Sequence, residues 1–366
     1  MIRAAERDEG ARLLDAFRDA GAIPVDCDLL LPAETLLDLY GEDLRRRAYV
    51  TQDPLRGEMM LRPDFTVPVV QRHMAGGAEP ARYCYLGEVF RKQDHLDGRP
   101  NEYLQAGFEL FAREAPAEAD AEVFALFARL LAPLGLQPVT GDMGVLVDAV
   151  RGLTTTDRRK TALLRHIWRP RRFRQLLDRY SGRTPPPEAR LRLIERLASG
   201  DLGALMAQAG PMIGLRDETE IAARAAALVE DAATPPVARA EVQMMEDLLQ
   251  LAAPAPAALY RLRDMAVDLP ALAPAADRFA ERLAALAARG VDPEALPFEA
   301  ALGRTTLEYY DGFVFAFAAP GRDDWPAVAS GGRYDALTAV LGQGRHIPAV
   351  GGIIRPGLLA ALRRGA

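Results

Sequence analysis

Asn101-Glu102-Tyr103-Leu104-Gln105-Ala106-Gly107-Phe108-Glu109-Leu110 decides how this chain is read. Its side chains alternate with a period of two, which predicts a β-strand. Leu104, Ala106, Phe108 and Leu110 then share one face as an unbroken apolar row. Tyr103, Gln105, Gly107 and Glu109 share the other. A glycine between an amide and a carboxylate opens space above the sheet, into which both polar groups can turn toward a bound molecule. The same alternation also describes a strand with one face in solvent. At this level two readings stand, a ligand pocket or a wetted surface.

Working outward, residues 82–90 (RYCYLGEVF) are strand-like as well, and the polar KQDHLDGRP at 92–100 separates the two runs. Together they predict an antiparallel hairpin with a long loop. Residues 8–20 place apolar side chains at helical spacing and stop at Gly21, a helix-ending glycine. Residues 61–68 (LRPDFTVP) read as a strand end or loop leading into a helix, with Thr66 as N-cap and Pro68 in the first turn. From about 150 to 295 Ala, Arg and Leu dominate, with proline-rich breaks at 185–187, 235–236 and 254–256. That block reads as helical. Strand texture returns at 299–318, where Asp311-Gly312 between two strand-like runs predicts a tight hairpin. Residues 330–335 (SGGRYD) are expected to open a helix. The whole reads as an α+β core in two sequence pieces, 1–145 and 297–366, around a helical insertion at 146–296.

A net charge of −6 argues against a nucleic-acid footprint spread over the whole surface. Residues 151–183 run against that average, holding 11 basic and 2 acidic residues. They form either a solvated helix face or a surface for an anionic partner, with Arg169, Arg171, Arg172 and Arg174 as candidates. Cys27 and Cys84 are too few for a disulfide framework, and the four histidines show no zinc-ligand spacing, so neither metal nor cofactor is expected. The charged N-terminus and the lack of a long apolar run make the cytoplasm the expected location.

Several side chains have both a structural and a functional reading. Asp64 either caps the following helix or holds a ligand ammonium. Arg91 either sits in a surface ion pair or binds a carboxylate or phosphate. Regular alternation at 307–310 puts Glu308 with Tyr310 and Leu307 with Tyr309, so both tyrosines cannot line one pocket there; each is core or ligand wall. The glycines at 331–332 and 351–352 fit no nucleotide-loop pattern.

Taken in order, residues 61–66, 85–91 and 105–109, then 307–310 (LEYY), 331–335 (GGRYD) and 348–351 (PAVG), resemble the catalytic domain of histidyl-tRNA synthetases. The likeness spans about 8–140 and 299–358. It implies an antiparallel sheet flanked by helices, usually dimeric. It also implies a histidine pocket made of Asp64, Thr66, Gln105, Glu109, Tyr309 and Tyr310. Asp64 and Gln105 would meet the ammonium, Glu109 and Tyr310 would surround the imidazole, and Arg91 would be an anion contact.

The departures bear on function. Thr305, Leu358 and Asn101 stand where that family carries arginines, and Gln93 replaces an acidic residue. Preorganised cations at a transferring phosphoryl group are worth about 3 kcal/mol each, so their loss argues against adenylation. The chain ends shortly after Leu358, so no anticodon-binding domain and no tRNA partner are expected. A histidine pocket without activation machinery resembles the synthetase-like regulatory subunits of short-form ATP phosphoribosyltransferase. In that family a separate catalytic subunit condenses ATP with phosphoribosyl pyrophosphate, and the synthetase-like subunit is needed for activity and for histidine feedback. An amino-acid-activating paralogue using Arg91, Arg333 or Arg355, and an RNA-binding module using the basic segment, are the competing expectations.

Overall fold

The computed structural model describes residues 3–34, 47–93, 100–211, 213–304, 309–342 and 344–365. Two compact units emerge: one from 1–148 together with 248–366, the other from 149–247.

The first unit begins with α1 (Ala4–Asp19), which ends as expected before Gly21 at φ +87°, a value that suits glycine. It continues through α2 (Thr66–Met74), α3 (Pro116–Leu131) and α4 (Met143–Gly152), the last leading out of this unit. The second unit holds α5 (Asp157–Arg165), α6 (Pro170–Tyr180), α7 (Glu188–Ala198), α8 (Leu202–Gln208), α9 (Glu218–Ala233) and most of α10 (Arg239–Leu249). The chain then returns to the first unit with α11 (Ala255–Asp268), α12 (Ala273–Ala288), α13 (Asp335–Leu341) and α14 (Pro356–Gly365).

A small sheet of β2 (Leu30–Pro32), β3 (Val50–Asp53) and β4 (Gly57–Leu61) accompanies a nine-stranded one. In spatial order the large sheet runs β1 (Ile23–Pro24), β5 (Ala81–Phe90), β6 (Glu102–Phe111), β12 (Ala349–Ile354), β11 (Ala329–Arg333), β10 (Phe313–Ala318), β7 (Gln137–Asp142), β9 (Pro297–Glu299) and β8 (Ala252–Pro254). Only β1 with β5 and β7 with β9 are parallel; the other neighbours are antiparallel. This is a mixed, mainly antiparallel sheet flanked by helices. The hairpin of β5 and β6 pairs over ten residues, from Ala81 opposite Phe111 to Phe90 opposite Glu102.

The two faces of the sheet differ in kind. On one, Phe108 of β6 and Phe313, Phe315 and Phe317 of β10 meet Phe17 of α1 and Phe124 and Phe127 of α3, with centroids 5.4–6.2 Å apart. Rings of this size dominate the burial that stabilises a core, and edge-on packing adds to it. Charge reinforces this side. Asp120 of α3 accepts from Arg282 of α12 at 2.8 Å and from Arg333 of β11 at 2.7 Å, and Arg282 also reaches Asp142 at 2.8 Å. All four side chains are buried.

Four local expectations are corrected. The expected hairpin strand at 307–310 falls partly on residues 305–308, which lie outside the described residues; Tyr309 and Tyr310 belong to no strand, and β10 begins at Phe313. Both edges of β10 are already taken by β7 and β11, which leaves no place for a hairpin partner. Asp311 instead turns its carboxylate to the N–H groups of Asp335 and Ala336 at the start of α13, at 2.9 and 2.6 Å. Residues 329–333 form β11, and the helix expected from Ser330 starts at Asp335, because the glycines are needed inside the sheet. Thr66 is not the cap of α2; Phe65 holds that position, since the Thr66 hydroxyl is committed to Glu109. The stretch 146–296 is not one helical insertion. Residues 248–296 belong to the first unit, where β8 pairs with β9 and α12 packs on α3.

The second unit buries Leu163, Ile167, Phe173, Leu177 and Tyr180. Part of the basic excess at 151–183 is neutralised within it. Arg159 binds Asp231 at 2.7 Å, Arg179 also binds Asp231, Arg158 approaches Glu230, and Arg183 binds Glu246. Arg165, Arg171, Arg172 and Arg174 are exposed, and Arg169 is half-buried. Among the described residues no helix is long and apolar enough to cross a membrane.

Removing Asp120 leaves two guanidinium groups in the core without their shared carboxylate. Asp120→Ala is expected to destabilise the protein by about 3–5 kcal/mol, the cost of breaking a buried ion pair from one side. A denaturant midpoint within experimental error of wild type would show that the cluster is not structural.

Candidate functional site

On the opposite face of the sheet lie Tyr83, Tyr85 and Gly87 of β5, Gln105, Gly107 and Glu109 of β6, Gly351 and Ile353 of β12 and Gly332 of β11, placed together by cross-strand pairing. Gln105 and Glu109 are each only 1% exposed, so this is no wetted face. Small residues form its floor. A Cβ on Gly351 would lie 1.6 Å from Glu109 Oε2, one on Gly107 would lie 2.1 Å from the Tyr85 ring, and one on Gly332 would lie 2.8 Å from Tyr310. Each glycine gives up its side-chain volume to a polar group from a neighbouring strand or loop.

Glu109 is the hub. Its Oε1 accepts from Tyr85 Oη at 2.9 Å and Thr66 Oγ1 at 3.1 Å, and its Oε2 accepts from Tyr334 Oη at 2.6 Å. Tyr309 extends the chain by donating to Thr66 Oγ1 at 3.3 Å. Tyr310 packs against Tyr309 with centroids 4.7 Å apart. Because 309–310 is not strand, both rings reach the same place, which regular alternation would forbid. Phe65 stacks on Tyr85 at 4.3 Å, and Arg62 lies over Phe65 while donating to the carbonyls of Glu88 and Cys27.

Burial pushes the Glu109 carboxyl up to about 7, and nearby Asp64 raises it further. The three hydroxyl donors pull the other way, and burial wins. Burial likewise raises the phenols of Tyr85, Tyr310 and Tyr334, so they remain neutral donors beside the carboxylate. Asp64 is buried within electrostatic range of Glu109, Tyr85 and Tyr310. The carbonyl Oε1 of Gln105 is buried with no hydrogen-bond donor. An orphaned buried acceptor costs about 1–3 kcal/mol, which a ligand N–H would recover.

The structure therefore gathers Asp64, Thr66, Glu109, Tyr309 and Tyr310, with Gln105 and Gly107 on the same strand face. Glu308 and Thr305 lie outside the described residues. Arg91 is half-buried and donates to the Pro63 carbonyl at 2.8 Å. Sequence reasoning missed Tyr85 and Tyr334 as partners of Glu109. The alternation of 82–90 carried a signal for Tyr85, opposite Gly107, whereas nothing local distinguished Tyr334. Of the arginines offered for altered catalytic roles, Arg333 is tied to Asp120 and Asp335. Leu358 lies in α14.

A family model described as histidyl-tRNA synthetase matches residues 3–228 and 215–356. Among curated proteins, the ATP phosphoribosyltransferase regulatory subunit of Brucella anthropi is 36% identical over 348 residues, covering 89% of each chain. That of Allorhizobium ampelinum is 36% identical over 366 residues, covering 94% of each. Among solved structures, an ATP phosphoribosyltransferase regulatory subunit/histidyl-tRNA synthetase from Bacillus halodurans superposes with a TM-score of 0.67 at 20% identity, over 98% of this chain and 79% of that one. The last likeness speaks for the fold alone.

The titration of Glu109 has a measurable sign. Its folded-state pKa is raised from 4.5 to about 7, so between those values the folded protein keeps a proton that the unfolded chain has released. Stability therefore falls as pH rises through that window and levels off above it. Glu109→Gln removes this dependence. Its stability relative to wild type should rise by roughly 2–4 kcal/mol between pH 4.5 and 8, because each pH unit separating the folded and unfolded pKa values is worth about 1.4 kcal/mol. Parallel pH profiles from urea denaturation of the two proteins would show instead that Glu109 titrates normally.

Proposed function

The chain belongs to the ATP phosphoribosyltransferase regulatory subunits, which share the histidyl-tRNA-synthetase-like fold, and on that premise we propose that it is the non-catalytic, histidine-sensing subunit of such a complex. Its partner is the short-form catalytic subunit, which carries out the condensation that begins histidine biosynthesis. Binding of L-histidine to this chain supplies the feedback signal. Self-association through the synthetase-like core, a cytoplasmic setting and independence from tRNA belong to the same proposal.

One observation carries the ligand assignment: the donorless Gln105 carbonyl on the buried face that also holds Glu109. In this reading the ligand ammonium donates to Gln105 and faces Asp64. The imidazole lies among Glu109, Tyr309 and Tyr310, on the floor left open by Gly107, Gly332 and Gly351. A carboxylate offers about four acceptor positions, and three hydroxyls occupy part of that capacity, leaving room for one imidazole N–H. Adenylation is disfavoured because Arg333 is spent on Asp120 and Asp335.

Reconstitution with a short-form catalytic subunit tests the proposal. The mixture should make phosphoribosyl-ATP under histidine inhibition, and the chain alone should give no histidine-dependent ATP–pyrophosphate exchange. Exchange at a synthetase-like rate would overturn the non-catalytic reading. Glu109→Gln should weaken histidine binding ten- to a hundredfold, the loss of a charge-assisted hydrogen bond worth about 1.5–3 kcal/mol. The inhibition curve should move to higher histidine with the uninhibited rate nearly intact; an unchanged histidine affinity by calorimetry removes Glu109 from the pocket.

The exposed arginines of α6 offer a second test. If Arg171, Arg172 and Arg174 face an acidic surface of the catalytic subunit, reversing two of them should weaken assembly, and more so at low salt. Unchanged assembly would leave them as a solvated helix face.

A further inference from the structure

Tyr309 and Tyr310 reach the Glu109 face from backbone that lies outside the sheet, since the pairing of β10 begins only at Phe313. The residue that follows them, Asp311, fastens that backbone. Its N–H donates to the Arg333 carbonyl at 3.0 Å. Its carboxylate accepts from the N–H groups of Asp335 at 2.9 Å and Ala336 at 2.6 Å, one on each oxygen. The next carbonyl, that of Gly312, accepts from the Met143 N–H at 2.8 Å. The anchor is itself held. Asp335 Oδ1 accepts from Arg333 at 3.0 Å and from the Ala349 N–H at 2.9 Å, and Arg333 is bound in turn to Asp120. The start of α13 is thus tied to β11, to β12 and to the buried charge cluster, and Asp311 joins the tyrosine pair to it.

The bridge to α13 needs two acceptor oxygens. A protonated carboxyl, or an amide in its place, turns one acceptor into a donor that faces an N–H. The charged groups around Asp311 set when this happens. Asp335 faces it from α13 and Arg333 from β11. On the side of α4, a Cβ at Gly144 would lie 3.4 Å from the Asp311 carbonyl, beside Asp142, which is bound to Arg282, and Arg278, which is bound to Asp148. Burial and the Asp335 carboxylate push the Asp311 carboxyl up to about 7, against the pull of the two N–H donors and of Arg333. The full bridge is therefore present above that value, and one of its bonds is lost below it.

We infer that Asp311 is a positioning residue for the ligand: by bridging the first two N–H groups of α13, its carboxylate sets the Tyr309 and Tyr310 rings where the imidazole lies. This rests on the reading of the Glu109 face as a histidine pocket. Rings set beforehand do not have to be ordered by the ligand, and the ordering cost that is avoided appears as affinity. Asp311 touches no ligand in this assignment; it acts through the two tyrosines.

Calorimetric titration of full-length wild type and Asp311→Asn with L-histidine, at two pH values, tests this. At about pH 8.5, where the wild-type carboxyl is ionised, Asp311→Asn should bind histidine about tenfold more weakly, the scale of one hydrogen bond to a charged acceptor. At about pH 5.5, where wild type carries a proton on Asp311, the two proteins should agree within about twofold. Glu109 and the ligand titrate in both proteins and cancel from the ratio. Equal affinities at both pH values overturn the inference. A tenfold deficit that persists at the lower pH overturns it as well, because a merely damaged fold would give that result. A second measurement decides the matter if Asp311→Asn does not fold. In Glu109→Gln, which removes the other carboxyl titrating near 7, the ring resonances of Tyr309 and Tyr310 should move with a midpoint at about 7, together with the amide resonances of Asp335 and Ala336. Rings that stay unmoved across that range overturn the inference. A wild type that binds no histidine at either pH overturns the pocket reading and the ligand role of Asp311 with it, whereas binding with an unchanged ratio overturns the inference alone.

Discussion

The carboxylate of Asp120 holds together parts of the chain that lie far apart in sequence. It accepts from Arg282, 162 residues downstream, and from Arg333, 213 residues downstream. Through Arg282 the same network reaches Asp142 at the end of β7, and through Arg333 it reaches Asp335 at the start of α13. Distant structural elements therefore meet at one buried cluster. The geometry supplies what buried charge requires, since each guanidinium makes several short contacts to carboxylates. Arg333 leads directly into Tyr334, whose hydroxyl is one of the three donors to Glu109. Fixing the arginine on one side of β11 thus positions the tyrosine that meets the site on the other.

The site has a division of labour that follows from elementary packing. In a sheet, a carboxylate can be buried only if its neighbours leave volume for it and supply hydrogen bonds. Gly351 provides the volume, and Tyr85, Tyr334 and Thr66 provide the bonds. The paired glycines of β11 and β12 serve both faces at once. Gly332 and Gly351 make room for Tyr310 and Glu109, while Gly331 makes room for the Phe315 ring on the aromatic side. A side chain at any of these positions would displace either the core or the site.

Much of this is legible at the level of single elements. The alternation of 101–110 identifies β6 and separates Phe108 from Glu109 correctly, because period two is a property of the strand itself. It cannot tell a wetted face from a covered one, since that depends on α2, on residues 309–310 and on β12, which approach from elsewhere in the chain. The donors to Glu109 lie 24, 43 and 225 residues away from it, so no local pattern points to all of them. Thr66 reads as a cap because a hydroxyl at a helix start suits either role, and the nearby carboxylate decides between them. Asp311-Gly312 suggests a hairpin from turn chemistry alone, but pairing partners from 137–142 and 329–333 claim both edges of the following strand. The end of the helical block escapes sequence reading for a similar reason. The helices after 248 have the same composition as those before it, and only their packing on α3 and the pairing of β8 with β9 assign them to the core.

The position of β12 has a consequence for how such a chain is made. This strand, Ala349–Ile354, comes last in sequence among the nine, yet it lies between β6 and β11 near the middle of the sheet. During synthesis from the N-terminus, the free edge of β6 waits through more than 200 further residues for its second partner. Until then the sheet exists as two half-ladders with open edges, the kind of surface that invites pairing with other chains. Contacts this distant also make for slow folding, because the loop must close before the pairing rewards it. The nascent protein therefore depends on protection of its unfinished edges, and a ribosome stalled shortly before β12 would release a polypeptide with most of its hydrophobic residues but no joined sheet.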